Sequence, residues 1–247
     1  MKIGIAGAGA VGCHYGSLLQ QAGFELRFLA RGEHLAALRE HGLLHISSGR
    51  ETRLAVQASD DAALLADAGV ILITGKMTDI DGLLVMLRPH ICHDALLLTL
   101  QNGVSAPERV SRMFPRHAVA AGTAFIGARI ERPGVVLHSA AGGIRAGLWQ
   151  HGAGEILLGP LLDGLKKAGV PVREEKQVEL MLWRKLLWNV GFNALTAITR
   201  RDARDLAADT ATLWLVRAAM QEAVDVARAS DVPLGAADMD KHVEVTL

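Results

Sequence analysis

Short apolar runs alternate with amphipathic stretches over the first two-thirds of the chain. Residues 2–6 and 26–30 read as strands. Residues 70–74 and 96–100 are continuously apolar, the pattern of strands covered on both faces of a parallel sheet. Between and after these runs the spacing predicts helices over 11–22, 34–41, 80–87 and 106–114. Such alternation predicts a doubly wound α/β domain. From 119 to 148 the texture changes to short strands separated by Pro133-Gly134 and Gly142-Gly143, an antiparallel or mixed extension of the same sheet. A helix over 155–168 and a short strand near 170–172 complete this part. After Arg173 the pattern is purely helical: 178–198, then 206–229, a break at Asp231-Val232-Pro233, and a last helix from Ala236. Two domains are expected, 1–173 and 174–247.

The helix predicted over 178–198 is apolar almost throughout, with a narrow polar seam. Lys185, Asn189, Asn193 and Thr196 are spaced by four, four and three residues, which puts them on one helical face. A helix this apolar is expected to be buried nearly all round, so its seam faces a cleft or a partner. Exposed polar positions on an ordinary helix are the simpler alternative. An ammonium on such a seam can donate a proton to, or hold charge beside, an alkoxide formed by ketone reduction. The two amides can hydrogen-bond a hydroxyl or carboxylate.

At the other end of the chain, Gly7-Ala8-Gly9-Ala10-Val11-Gly12 follows the first strand and opens the first helix, as a dinucleotide fingerprint requires. In that reading Gly7 makes the tight turn, Gly9 lets backbone approach a pyrophosphate, and Gly12 lets helix and strand pack closely. With 26 glycines in the chain, an ordinary glycine-rich turn is the competing reading. The second strand ends in Arg31, with no acid until Glu33, where NAD-selective sites place a carboxylate. A guanidinium suits the 2′-phosphate of NADP, so NADP is expected over NAD, with a solvated surface Arg as the alternative. Lys76 and the Gln101-Asn102-Gly103 turn follow two further strands, at the edge where open sheets bind ligands. Each is equally readable as the start of a solvated loop or turn.

Composition narrows the classes. Lys plus Arg and Asp plus Glu are equal at 26 each, so no global field favours nucleic acid or an anionic membrane. No apolar run approaches membrane-spanning length, and no signal-peptide pattern opens the chain. Cys13 and Cys92 are expected to be free thiols in a reducing compartment, which makes the cytoplasm the expected location. His90, Cys92 and His93 lack a fourth ligand in sequence and read as surface residues, so no metal is expected. His138, beside Ser139, reads as structural.

Taken in chain order, GAGAVG, Arg31, Lys76, Gln101-Asn102-Gly103, the stretch from 122 to 138, and the seam of 183–197 resemble the ketopantoate reductases, or 2-dehydropantoate 2-reductases. The resemblance implies a Rossmann-type domain followed by an all-α domain, and reduction of ketopantoate to pantoate with NADPH on the route to pantothenate and coenzyme A. It implies Lys185 as general acid, with Asn102, Asn189 and Asn193 around the substrate. Gly7 to Gly12, Arg31, Lys76, Asn102 and the backbone near Ala128 would contact NADPH. The chain departs from the family pattern at Ala194 and over Arg200 to Arg204. Relatives also run further, with a Ser for the substrate carboxylate and a Glu near the lysine. A shortened helical domain is expected to recover lost burial through a homodimer contact or a swapped helix. The alternatives are a paralogue for another branched 2-oxo acid, or a nucleotide-binding protein with little turnover.

Overall fold

The computed structural model describes residues 1–247. Ten strands form one sheet: β1 (Lys2–Ala6), β2 (Glu25–Leu29), β3 (Leu43–Ser47), β4 (Arg50–Leu54), β5 (Gln57–Ser59), β6 (Val70–Ile73), β7 (Leu96–Thr99), β8 (Val119–Arg132), β9 (Val135–Gln150) and β10 (Val172–Glu174). Their spatial order is β4-β3-β9-β8-β7-β6-β1-β2-β5, with β10 alongside β9. From β5 across to β8 every pairing is parallel, whereas β3 with β4 and β8 with β9 are antiparallel. The strand β1 lies between β2 and β6, so consecutive connections leave it in opposite directions. That creates a topological switch point at the carboxyl ends of β1 and β6, the place where open α/β sheets bind ligands.

Side chains alternate across the sheet, and both faces are covered. On one face Ile3, Ile5, Leu72 and Leu98 pack under α1 (Ala10–Gln21) and α5 (Leu158–Lys167), with Tyr15, Leu19 and Leu161 fully buried. On the other, Ile71, Ile73 and Leu97 meet Leu84 and Leu87 of α3 (Ile80–Leu87) and Val110 of α4 (Ala106–Met113). This two-sided burial is the reason β6 is apolar at every position and β7 at every position but its last, Thr99. The remaining helix of this part, α2 (Gly32–His41), follows β2 and ends at Gly42, whose φ of 72° suits a residue without Cβ.

Three expectations are corrected. Residues 119–150 form two long strands rather than several short ones, because Gly142-Gly143 is a bulge and not a break. The register slips there, with Phe125 opposite Gly143 and Ile126 opposite Ala141, and Gly142 takes φ 121°. The strands β3, β4 and β5 were not expected. Their sequence alternates weakly, and β4 carries outward Arg50, Glu51 and Arg53 on an edge. The long helix over 206–229 is two helices, α7 (Ala203–Ala208) and α8 (Thr210–Ala229). Between them Asp209 caps α8, its carboxylate accepting from the Ala211 and Thr212 amides.

Chain contacts divide the molecule into two compact units. One comprises Met1–Gln101 and Ser105–Val178, the other Asn102–Val104 and Glu179–Leu247. The second unit holds α6 (Val178–Thr199), α7, α8 and α9 (Ala236–Glu244) around Leu187, Phe192, Val216, Met220 and Val224. Gly191 lets α6 and α8 approach, since a Cβ there would lie 2.5 Å from the Met220 methyl. No helix is long and apolar enough to cross a membrane.

Where α1 packs on the sheet, three imidazoles cluster, centred on His14. His14 shares a 3.0 Å hydrogen bond with His45, and its ring lies 4.3 Å from that of His138. His138 Nε2 faces two carbonyls, Ala140 and Ala141, so it carries the hydrogen and Nδ1 accepts from the Ser47 hydroxyl. Burial, then His138 and His45, hold the His14 pKa down to about 3 from an ordinary 6.5. The unfolded chain therefore takes up this proton first, and stability present above pH 6.5 is lost as the pH falls toward 3. Urea unfolding at about pH 7 and about pH 5 is expected to show a lower midpoint at the lower pH. His14→Gln, which cannot titrate, is expected to shrink that drop; an undiminished drop would contradict this account.

Candidate active site

The glycine-rich turn sits at the switch point. Gly7 takes φ 102°, and a Cβ there would lie 2.5 Å from the Gly75 nitrogen, so the turn after β1 packs directly on the turn after β6. The Thr74 hydroxyl donates to the Gly7 carbonyl at 2.7 Å and fixes the turn. A Cβ on Gly12 would strike Thr74 and Ile5, so this glycine seats α1 on the sheet. By contrast, Gly9 is exposed, and a Cβ there would meet no protein atom within 4 Å. Gly9 is also the N-cap of α1, with no side-chain cap and no acid in the first turn. The first amides of α1 thus have no partner within the helix and present a positive dipole end, an arrangement that binds anions.

A cavity of about 800 Å³ opens over this turn. Gly7, Ala8, Gly9, Arg31 and Lys76 line it, whereas Ala10, Val11, Gly12, Asn102 and Ala128 do not. Its size falls within the roughly 300–1,000 Å³ of small-molecule sites. Arg31, two residues beyond the end of β2, is the N-cap of α2, with its side chain 84% exposed. Its guanidinium donates to the Asp79 carboxylate at 2.7 Å across the cavity wall. Lys76 is exposed and starts the short turn that leads to Asp79. His34, another wall residue, accepts from the Gly134 amide and lies 3.5 Å from the buried Cys13 sulfur. Burial pushes the Cys13 thiol up to about 12, which leaves it un-ionised.

Sequence reasoning missed Thr74, Asp79 and His34. Each acts on a residue far along the chain, and no local spacing marks them. Of the other expected residues, Ala128 lies in β8 opposite His138, beside a register shift. Asn102 is exposed in the turn before Gly103 and groups with the helical unit, whose core Val104 joins.

In the helical unit the seam of α6 is present but graded. Leu180, Met181, Leu182, Trp183, Leu187 and Phe192 are buried, Lys185 and Asn189 are half-buried, and Asn193 is exposed. The expectation of a helix buried nearly all round fails past Asn193. Ala194, Ala197 and Ile198 are exposed, because the core shared with α8 ends near Leu195. The Thr196 hydroxyl turns back to the Asn193 carbonyl and leaves the seam. Lys185 Nζ lies 5.5 Å from the Trp188 ring centroid. That indole is held by Phe192 and by its own N–H donated to Thr246 at 3.1 Å. Arg184, the neighbouring cation, is engaged by Asp238. Burial lowers the Lys185 pKa from 10.5. Such a lysine gives up a proton more readily than one in water.

A Rossmann-type sheet with a glycine turn at its switch point, followed by a helical unit, defines the class of this protein. The profile described as ketopantoate reductase PanE/ApbA matches residues 3–151, and its C-terminal counterpart matches 177–247. The chain belongs to the ketopantoate reductase family, a family of oxidoreductases. It is 28% identical to a 2-dehydropantoate 2-reductase of Nostoc sp., over 90% of this chain and 70% of that one. It is 27% identical to the enzyme of that name from Halobacterium salinarum, over 99% and 81%. The structure of a PanE/ApbA family ketopantoate reductase from Ralstonia eutropha is similar with a TM-score of 0.86 and 32% identity, over 99% of this chain and 79% of that one. D-mandelate dehydrogenase, in a ternary structure with NADH and anilino(oxo)acetate, shares the fold with a TM-score of 0.89 at 24% identity, over 100% and 79%.

Proposed function

We propose that this protein reduces the keto group of a branched 2-oxo acid, ketopantoate, to the 2-hydroxy acid pantoate with NADPH. The observation that carries the reading is Lys185, a half-buried ammonium 5.5 Å from the Trp188 ring centroid and lowered in pKa by burial. A nicotinamide cofactor supplies the hydride when bound. The residues of the sheet unit fit such a group: the Gly7 turn and the open face of Gly9 suit a pyrophosphate, and Arg31 and Lys76 suit phosphate charge. Asn102 and the Ala128 backbone, which do not line the cavity, join the same cofactor in this reading on the family resemblance alone. The Lys185 ammonium offsets the negative charge that develops on the substrate oxygen, then gives that oxygen its proton, which leaves a neutral amine and a neutral hydroxyl. Asn189, Asn193 and Asn102 hold the hydroxyl and carboxylate ends of the substrate without adding charge.

Arg31→Asp tests the cofactor part. NADPH affinity is expected to fall by about tenfold or more while NADH affinity changes far less, because only the former loses a charge-assisted pair. Equal effects on the two would remove Arg31 from the reading. D-mandelate dehydrogenase favours a second substrate reading, since its structure holds NADH and an oxo acid analogue on the same fold. A panel of 2-oxo acids separates the two: highest kcat/KM with ketopantoate supports the first, and with an aryl 2-oxo acid the second.

A further inference from the structure

We infer that Asp79 is a second determinant of cofactor choice, and that the Arg31–Asp79 pair makes the ribose end of the cavity able to accept both NADPH and NADH. This rests on the nucleotide reading of that cavity. In Rossmann-type sites a carboxylate at the end of the second strand accepts the ribose hydroxyls of NAD, and a cation there accepts the 2′-phosphate of NADP. Here the end of β2 supplies only the cation, Arg31. The fold brings the acid in from the far side, 48 residues away, on the turn that follows β6. Both side chains line the cavity and meet at 2.7 Å.

Nothing else in the structure explains the placement of Asp79. It stands at the N-cap of α3, yet its side chain makes no cap hydrogen bond, and its only other partner is the adjacent Thr78 hydroxyl at 3.3 Å. The pair is exposed, 84% for Arg31 and 45% for Asp79, and such pairs add little to folding. Its consequence lies in what each charge does toward a ligand. A 2′-phosphate that engages Arg31 displaces Asp79 and is repelled by it. A ribose diol instead finds in Asp79 an acceptor for its hydroxyls, with Arg31 beside it to offset the charge. The carboxylate thus weakens NADPH binding and strengthens NADH binding, opposite to the effect of Arg31.

The test is fluorescence titration of the full chain with NADPH and with NADH, with no substrate present, for wild type, Asp79→Asn and Arg31→Gln. Wild type is expected to bind both nucleotides. Asp79→Asn is expected to tighten NADPH and loosen NADH, moving the ratio of their affinities by about tenfold. Arg31→Gln is expected to move the same ratio the other way. Thermal midpoints checked in parallel are expected to stay within a few degrees of wild type, because no cap bond is removed. If both nucleotides bind and Asp79→Asn leaves the ratio unchanged, the inference is overturned while the nucleotide reading stands. If wild type binds neither nucleotide, the nucleotide reading itself falls and takes the inference with it.

Discussion

Lys185→Ala is expected to lower turnover by about 10²–10⁴-fold, the range for loss of a positioned general acid, with NADPH affinity nearly unchanged. The split between the two readouts is what matters. A lysine acting on the reacting oxygen changes kcat and leaves the nucleotide site alone, whereas a lysine that only supports the helix lowers both through lost folded protein. Lys185→Met keeps the length and apolar stem of the side chain and is expected to fold as wild type while remaining inactive. The pH profile gives a second reading. The acid must be protonated to act, and burial places the Lys185 pKa below 10.5. Activity therefore declines as pH rises, with its alkaline limb earlier than an ordinary lysine would give. Near-normal turnover in Lys185→Ala would refute the role.

Gly7→Ala is expected to destabilise the sheet unit by about 3 kcal/mol or more, and Gly9→Ala hardly at all, although the two glycines are two residues apart. At Gly7 a methyl meets backbone, 2.5 Å from the Gly75 nitrogen and 2.6 Å from its Cα, and φ is 102°. Neither obstacle is the end of a flexible side chain, so two turns must separate, and the Thr74 bond to the Gly7 carbonyl goes with them. At Gly9 the backbone is extended with φ −82°, and a methyl meets no protein atom within 4 Å. Gly9→Ala is therefore expected to unfold at the wild-type temperature and still to bind NADPH several-fold more weakly, since the methyl takes space that a pyrophosphate needs. Thermal unfolding and nucleotide titration of the two variants check this. A Gly9→Ala protein with unchanged affinity would show that no phosphate approaches that backbone.

The parts of the molecule that were legible in sequence are those written in local spacing. The turn from Gly7 to Gly12, the apolar runs of β6 and β7, and the four-residue rhythm of Lys185, Asn189 and Asn193 each depend on neighbours within about one or two turns of chain. What was illegible depends on distant partners. Thr74 locks the Gly7 carbonyl from 67 residues away, and Asp79 meets Arg31 from 48. His14, His45 and His138 come from a helix and two strands, and none looks like part of a cluster in sequence. Gly142-Gly143 shows a different failure. Two glycines signal a turn and a bulge equally well, and only the pairing partner, here Phe125 to Ile126, decides between them. The end of α6 was misread because periodicity reports which face is apolar, whereas burial depends on whether α8 extends far enough to cover it.

The central claim is that the protein passes a hydride from NADPH to a 2-oxo acid. The direct measurement is loss of reduced-nicotinamide absorbance on mixing the protein and NADPH with ketopantoate and a panel of other 2-oxo acids, beside a titration of NADPH alone. The account predicts NADPH binding, oxidation that requires a 2-oxo acid, and the highest kcat/KM with ketopantoate. NADPH binding without oxidation by any 2-oxo acid would contradict it and leave a protein that binds the nucleotide without reducing these substrates.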